Sequence, residues 1–476
     1  MSDALARFQT ALQSQSMLEV SEAARALIKA SPNLGSDWAG VASAALEAGD
    51  EPAALDAAKL LVKAAPDYHQ SHVWVATALS AMGDHGGALA VLESQIARHP
   101  NVGELYRRAG RALINLGRPA AAHDRFKTAL DLNGMDVQAL EGIAETRNFK
   151  RGDDVLLAME ELRIGIPADA SSRDRGVLSY ALARAYDAIG DHEVAARRVG
   201  EAAAFYRESA PFETDRHEQA MDHIVATYDD RFTRANEEAG VVDARPVFVI
   251  APPCTGAEWL AKTLCAADGV ARLERRNALF WMAASPLGDH DSAALLRELN
   301  LGESEGLFTT IAHTYLARVG ERLGRDVRRV IDPSALTEMA AGVMGLSLPA
   351  AKFIRLTRDP RDLAWAIYAR RFRQGRNWSY HPDDIARVLA CQNRLCERWD
   401  ALFGERIHTL SYEALSEDPA AALKGVAGFI GVDAEAVTAE AWLRADALKA
   451  DPVGVHARAG ARFEPVEAAL KRAGLV

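Results

Sequence analysis

Val247-Phe248-Val249-Ile250-Ala251-Pro252-Pro253-Cys254-Thr255-Gly256-Ala257 is the stretch that decides how this chain folds. Val247 to Ile250 are all apolar and mostly β-branched, which suits a strand buried on both faces of a parallel sheet. A loop of small residues follows, and Glu258 to Ala267 has helical texture. Strand, small-residue loop, helix is the layout of a phosphate-binding loop, in which backbone N–H groups and the positive end of the helix converge on an anion. The loop lacks the Gly-Lys-Ser/Thr ending of a nucleoside-triphosphate site, which disfavours a P-loop kinase or NTPase.

A second strand signal lies downstream. Lys352-Phe353-Ile354-Arg355-Leu356-Thr357 ends at Arg358-Asp359-Pro360-Arg361-Asp362, and Leu363 to Phe372 reads as helix. Asp359 suits a helix N-cap and Pro360 the first helical position, where its missing donor costs nothing. Arg358 then stands at the mouth of a helix N-terminus and adds a full positive charge to a partial one. Between Lys352 and Arg376 there are eight basic residues and two acids, a local excess of six that marks an anion site rather than solvated surface.

Working outward, the N-terminal half is periodic. Pro32, Pro66 and Pro100 are spaced by 34 residues, as are Gly49, Gly83 and Gly117. Between these marks run Ala- and Leu-rich segments (Trp38 to Leu46, Ala53 to Ala65, Val73 to Met82) with apolar residues recurring at three and four. Less regular units centre on Gly152-Asp153 and Gly190-Asp191. Each unit reads as helix, Gly-centred turn, helix, Pro-marked exit. The pattern resembles the tetratricopeptide repeat over roughly residues 1–209. Stacked units of this kind present a concave surface, which implies a protein or peptide partner; a purely structural or dimerising spacer is the alternative. Arg216 to Ala239 reads as a helical connector.

Composition sets outer bounds. A chain of 476 residues, 49% hydrophobic and 25% charged, is an ordinary globular protein of two or three domains. A net charge of −11 argues against a general nucleic-acid coat but leaves room for a local basic pocket. Cys254, Cys265, Cys391 and Cys396 are too few and too scattered for a disulfide framework, and none forms a C-x2-C pair, so no metal is expected. No stretch approaches the ~18 apolar residues of a membrane span, and Met1-Ser2-Asp3-Ala4 does not open a signal sequence. The expected location is cytoplasmic.

Three segments together resemble the sulfotransferases: Pro246 through Leu260, Arg358-Asp359-Pro360-Arg361-Asp362, and Tyr412-Glu413-Ala414-Leu415 with Asp418-Pro419. The nearest likeness is to a bacterial branch that fuses tetratricopeptide repeats to a sulfotransferase domain and is related to protein-tyrosine sulfotransferases. The fold class that follows is an all-α tetratricopeptide-like solenoid (1–209), a helical connector (210–244) and an α/β, P-loop-like parallel-sheet domain (245–476). The resemblance implies 3′-phosphoadenylyl sulfate as donor, its 5′-phosphosulfate in the first loop and its 3′-phosphate on Arg358. The acceptor is then a hydroxyl, with a protein or peptide held by the repeats as the candidate.

Position by position, the likeness is uneven. The family's loop usually reads Pro-Arg-Ser-Gly-Thr-Thr, and here it reads Pro253-Cys254-Thr255-Gly256-Ala257-Glu258. Cys254 replaces the arginine that would neutralise charge on the departing phosphate. Glu258 adds a negative charge near an anion, unless it points away or pairs with a base. Ala366 replaces a serine and Pro333, after Asp332, a lysine. Sulfuryl transfer also needs a base for the acceptor proton, and Glu274 in Arg272-Leu273-Glu274-Arg275-Arg276 is the positional match; His313 and His408 are weaker candidates. Arg462, in the basic run Arg458 to Arg462, matches an arginine that folds over the donor in relatives. The departures motivate a second expectation of a different class: a catalytically inactive scaffold, or nucleotide-sensing adaptor for an adenosine 3′,5′-bisphosphate-type ligand, that binds a protein partner through the repeats. A third idea, Cys254 as a nucleophilic thiol, lacks a partner His–Asn motif.

Overall fold

Turn glycines and capping aspartates punctuate the N-terminal half as its periodicity predicts. The computed structural model describes residues 3–14, 17–167, 170–209, 211–273, 306–323, 326–333, 337–372, 376–438, 440 and 451–476. Helices run from Asp3–Ser14 to His192–Ser209, with Trp38–Glu47, Glu51–Ala64, His69–Ala81 and His85–Arg98 covering the segments read as helical. Gly83 and Gly117 close their helices at φ 83° and 70°, a left-handed conformation open to glycine at little cost. Asp84 then caps the next helix, its carboxylate accepting from Gly87 N at 2.7 Å. The small residues matter for packing too: a Cβ on Gly142 would lie 2.5 Å from the fully buried Phe126 ring. Neighbouring helices from His69 to Thr146 pack in succession, and Ser172–Ala188 pairs with His192–Ser209. The connector is two helices, Thr214–Thr227 and Asp230–Ala235, separated where Asp229 caps the second by accepting from Phe232 N.

The C-terminal half contains a five-stranded parallel sheet, β1 Pro246–Ile250, β2 Val270–Arg272, β3 Arg329–Asp332, β4 Lys352–Thr357 and β5 Ile407–Ser411, in the order β2-β3-β1-β4-β5. All five β1 residues are buried, as the apolar run requires. Alternate strand side chains serve two cores. Phe248, Ile250, Val330 and Phe353 join Tyr315, Met344 and Trp399 on one face. Val247, Val249, Ile331, Ile354 and Leu356 join Leu260, Leu264, Leu415 and Leu423 on the other. Connections leave β1 toward one edge and β4 toward the opposite edge, so strand order reverses between them. A crevice opens at such a point, outside the carboxyl ends of the strands, and there ligands bind in open α/β sheets.

By packing, the chain forms two compact units that interleave along the sequence: Met1–Leu60, Asp215–Asp359 and Leu389–Ala450 in one, and Leu61–Thr214, Pro360–Val388 and Asp451–Val476 in the other. In the first, the leading helices and the sheet region share a polar cluster. Arg25 clasps buried Asp50 through Nε at 2.6 Å and Nη2 at 2.8 Å, and Arg318 donates to Ser21 Oγ at 3.2 Å. Among the described residues, no helix is long and apolar enough to cross a membrane.

Candidate anion site at the carboxyl ends of β1 and β4

β1 hands the chain to a loop bent in a way few residues adopt. Cys254 has φ 67° and Gly256 φ 88°. A cysteine in the left-handed region costs on the order of 1 kcal/mol, strain that functional loops commonly carry. Thr255 is fully buried, and its hydroxyl donates to Pro252 O at 2.7 Å, fixing the turn from inside. Since a hydroxyl has one hydrogen and a phosphate oxygen only accepts, Thr255 offers an anion its backbone N–H alone. Pro253 is buried, Cys254 half-buried, and the helix Ala257–Leu264 starts directly after Gly256.

Arg358 reaches this loop. Its Nη1 donates to Cys254 O at 2.8 Å, and its guanidinium carbon sits 4.2 Å from the centre of the Tyr412 ring. The residue is 6% exposed, so the cation is largely withdrawn from water and stacked on an aromatic face. Tyr412 is here because β4 and β5 pair in register, Thr357 opposite Ser411. The residues that follow each strand therefore emerge side by side. Glu413 uses the same register: its Oε1 accepts from Asp359 N at 2.9 Å. Sequence reading picked out Tyr412 and Glu413 as part of a motif without a task; the supporting role comes from the strand register. The next helix is Pro360–Tyr368, with Pro360 at its first position as expected; it stops four residues before Phe372, where the sequence reading carries it.

Glu258, the acid in the loop's last position, is paired. Arg272, the last residue of β2, donates from Nη1 to Glu258 Oε1 at 2.8 Å, and Lys262 Nζ lies 3.9 Å from the same oxygen. Two cations thus offset the carboxylate that opposes an anion. Ala366 is buried inside its helix and Pro333 follows buried Asp332, whose Oδ2 accepts from the Tyr315 hydroxyl at 3.1 Å. His408 stacks on Phe429, with ring centres 5.3 Å apart, and burial lowers its pKa below the ordinary histidine value. His313 is exposed on the helix Leu307–Leu323. Arg462 is exposed in the segment Val455–Phe463, which belongs to the other compact unit. Glu274 lies outside the described residues. Among the described residues, no three His, Cys, Asp or Glu side chains cluster to hold a metal ion.

Residues 246–436 match the model of the Sulfotransferase family. An uncharacterized protein of Aquifex aeolicus (strain VF5) is 22% identical over 284 residues, which cover 58% of this chain; the chain matches only 37% of that relative's length. Among solved structures, a sulfotransferase from Alicyclobacillus acidocaldarius is 19% identical, with a TM-score of 0.31 over 48% of this chain and 96% of its own. A MamA fragment (41-end) from Desulfovibrio magneticus RS-1 is 19% identical, with a TM-score of 0.27 over 34% of this chain and 93% of its own. The family match begins at the first residue of β1 and takes in the bent loop, Arg358 and the Tyr412–Glu417 helix. Behind a tetratricopeptide-like helical array, residues 246–436 of this chain are similar to the sulfotransferase family.

Proposed function

We propose that the 245–476 region moves a sulfuryl group from 3′-phosphoadenylyl sulfate to an acceptor hydroxyl, in the cytoplasm, and that the 1–209 array presents the acceptor, a protein or peptide segment. One observation carries this reading most: the guanidinium of Arg358 faces the loop after β1 and touches it, at Cys254 O. An ion pair turned away from that loop would have argued the other way. In this reading Arg358 holds the 3′-phosphate. The backbone of Pro253, Cys254, Thr255, Gly256, Ala257 and Glu258 faces the 5′-phosphosulfate, and Arg462 closes over the donor. Glu274 takes the acceptor proton as the acceptor oxygen bonds to sulfur. The sulfur–oxygen bond to the 5′-phosphate breaks with its electron pair going to the phosphate, and adenosine 3′,5′-bisphosphate leaves. With cysteine where relatives carry an arginine, stabilisation of that leaving charge falls to backbone N–H groups and the helix start. The residues fit the donor at its nucleotide end better than at its sulfate end.

That imbalance supports the second reading, a nucleotide-sensing adaptor. Its specific observation is Thr255, whose hydroxyl hydrogen is committed to Pro252 O and so is withheld from a sulfate. Incubation of the full chain with sulfur-35-labelled donor and a fractionated cell extract separates the two. Label transferred to a protein or peptide band, and lost in Arg358→Ala, supports the enzyme. Nucleotide binding without any transfer supports the adaptor.

A further inference from the structure

The turn after β1 carries no arginine of its own, yet a guanidinium reaches it from another strand. β2 is three residues long and lies at the sheet edge beside β3. Side chains alternate along a strand. Val270 packs into the core around the helix Ala257–Leu264, and Leu273, just past β2, lies in the opposite core. Arg272 therefore projects on the helix's face, where its Nη1 donates to Glu258 Oε1 at 2.8 Å. Glu258 is the second residue of that helix, in the first turn, where the helix dipole favours a carboxylate. The two side chains are 19% and 23% exposed, so the pair is neither a fully solvated contact nor sealed from a ligand. Lys262, one turn further on, is 3.9 Å from the same oxygen and 38% exposed, a looser partner.

The chemistry at this end of the donor calls for such a cation. When the sulfur–oxygen bond to the 5′-phosphate breaks, its electron pair stays on a phosphate oxygen, and the phosphate gains a negative charge. Backbone N–H groups answer with partial charges only, and Arg358 is assigned to the 3′-phosphate. A guanidinium has five N–H donors in a planar fork matched to phosphate, and it stays protonated throughout the step. The bond to Glu258 employs one of those donors. Glu258 is then a tether as well as an opposing charge: it holds the guanidinium at the helix start, where the 5′-phosphate lies in the reading above.

We propose that Arg272 is a catalytic residue that takes the place of the missing loop arginine: it contacts the 5′-phosphate and stabilises the charge that sulfuryl transfer leaves there. The inference rests on the donor-binding reading above. Adenosine 3′,5′-bisphosphate carries that charge in full and adenosine 3′-monophosphate lacks the 5′-phosphate, so calorimetry of the full chain with both nucleotides reads the contact. Arg272→Ala weakens binding of the bisphosphate about fivefold and leaves the monophosphate within about twofold of wild type. A role confined to neutralising Glu258 predicts the same loss, so the deciding chain is the double variant Glu258→Gln with Arg272→Ala. Compared with Glu258→Gln alone, it binds the bisphosphate about five- to tenfold more weakly. Where circular dichroism shows that the alanine chains do not fold, Arg272→Gln, which keeps a polar stem at the sheet edge, replaces alanine in the same comparison. Equal affinity of the single Glu258→Gln chain and the double variant overturns this inference and leaves nucleotide binding standing. A wild-type chain that binds neither nucleotide overturns the reading beneath it as well.

Discussion

Replacing Arg358 by alanine removes three things together: the bond to Cys254 O, the stack on Tyr412, and the charge offered to a phosphate. The last decides binding. A hydrogen bond to a charged partner contributes about 1.5–3 kcal/mol, and the Arg358 guanidinium, 6% exposed, is such a partner. The affinity for adenosine 3′,5′-bisphosphate then falls by about 10- to 150-fold, read by isothermal calorimetry. Arg358→Lys lies between wild type and alanine, because an ammonium keeps the charge but loses the planar fork and most of the aromatic stacking. Tyr412→Leu leaves the charge and removes the platform, so it costs about 1–2 kcal/mol of binding by a loosened guanidinium. An alanine variant that binds the nucleotide as tightly as wild type would refute the reasoning, since no other residue is assigned the 3′-phosphate.

Three further outcomes follow from the same geometry. Arg272→Ala strips Glu258 of its 2.8 Å partner and weakens nucleotide binding several-fold, roughly 1 kcal/mol, whereas Glu258→Gln tightens or preserves it; calorimetry on both variants checks the sign. Burial pushes the Asp50 carboxyl up, but the hydrogen bonds from Arg25 and Ser21 and the charges of Arg25 and Arg318 outweigh it and hold the pKa below the usual carboxylate value. Its stabilising effect is therefore full above the unfolded pKa of ~3.9 and disappears as pH falls through the lower folded value. Wild type should exceed Asp50→Asn by about 2 kcal/mol in urea unfolding at pH 7, with the gap closing below about pH 4; a constant gap counts against the cluster. Burial also pushes the thiols of Cys391 and Cys396 up, to about 11 and about 12, so a thiol reagent at neutral pH labels Cys254 and Cys265 in the native chain and the other two only on unfolding.

Local sequence carried much of this structure because the deciding features are local. A buried strand followed by a small-residue turn is written in Val247 to Ala257, and the Gly-Asp turns of the array are written in their 34-residue spacing. Arg358 was legible for the same reason: it ends one apolar run and precedes a capping pair. What stayed hidden depends on pairing between distant segments. Tyr412 lies beneath Arg358 only because Thr357 and Ser411 are register partners, and Glu258 is neutralised only because β2 ends at Arg272. Glu141 and Arg371 form an ion pair across 230 positions, and neither has a neighbour in sequence that hints at the other. The compact units likewise follow packing, not texture: residues 1–60 share a unit with the sheet, although their pattern is continuous with the repeats that follow.

A crystal structure of the full chain grown with adenosine 3′,5′-bisphosphate tests the central claim most directly. The account predicts the 3′-phosphate within hydrogen-bond reach of the Arg358 guanidinium and the 5′-phosphate against the backbone of residues 253–258. Nucleotide bound elsewhere with that loop empty, or a crevice that stays closed at saturating ligand, would contradict it.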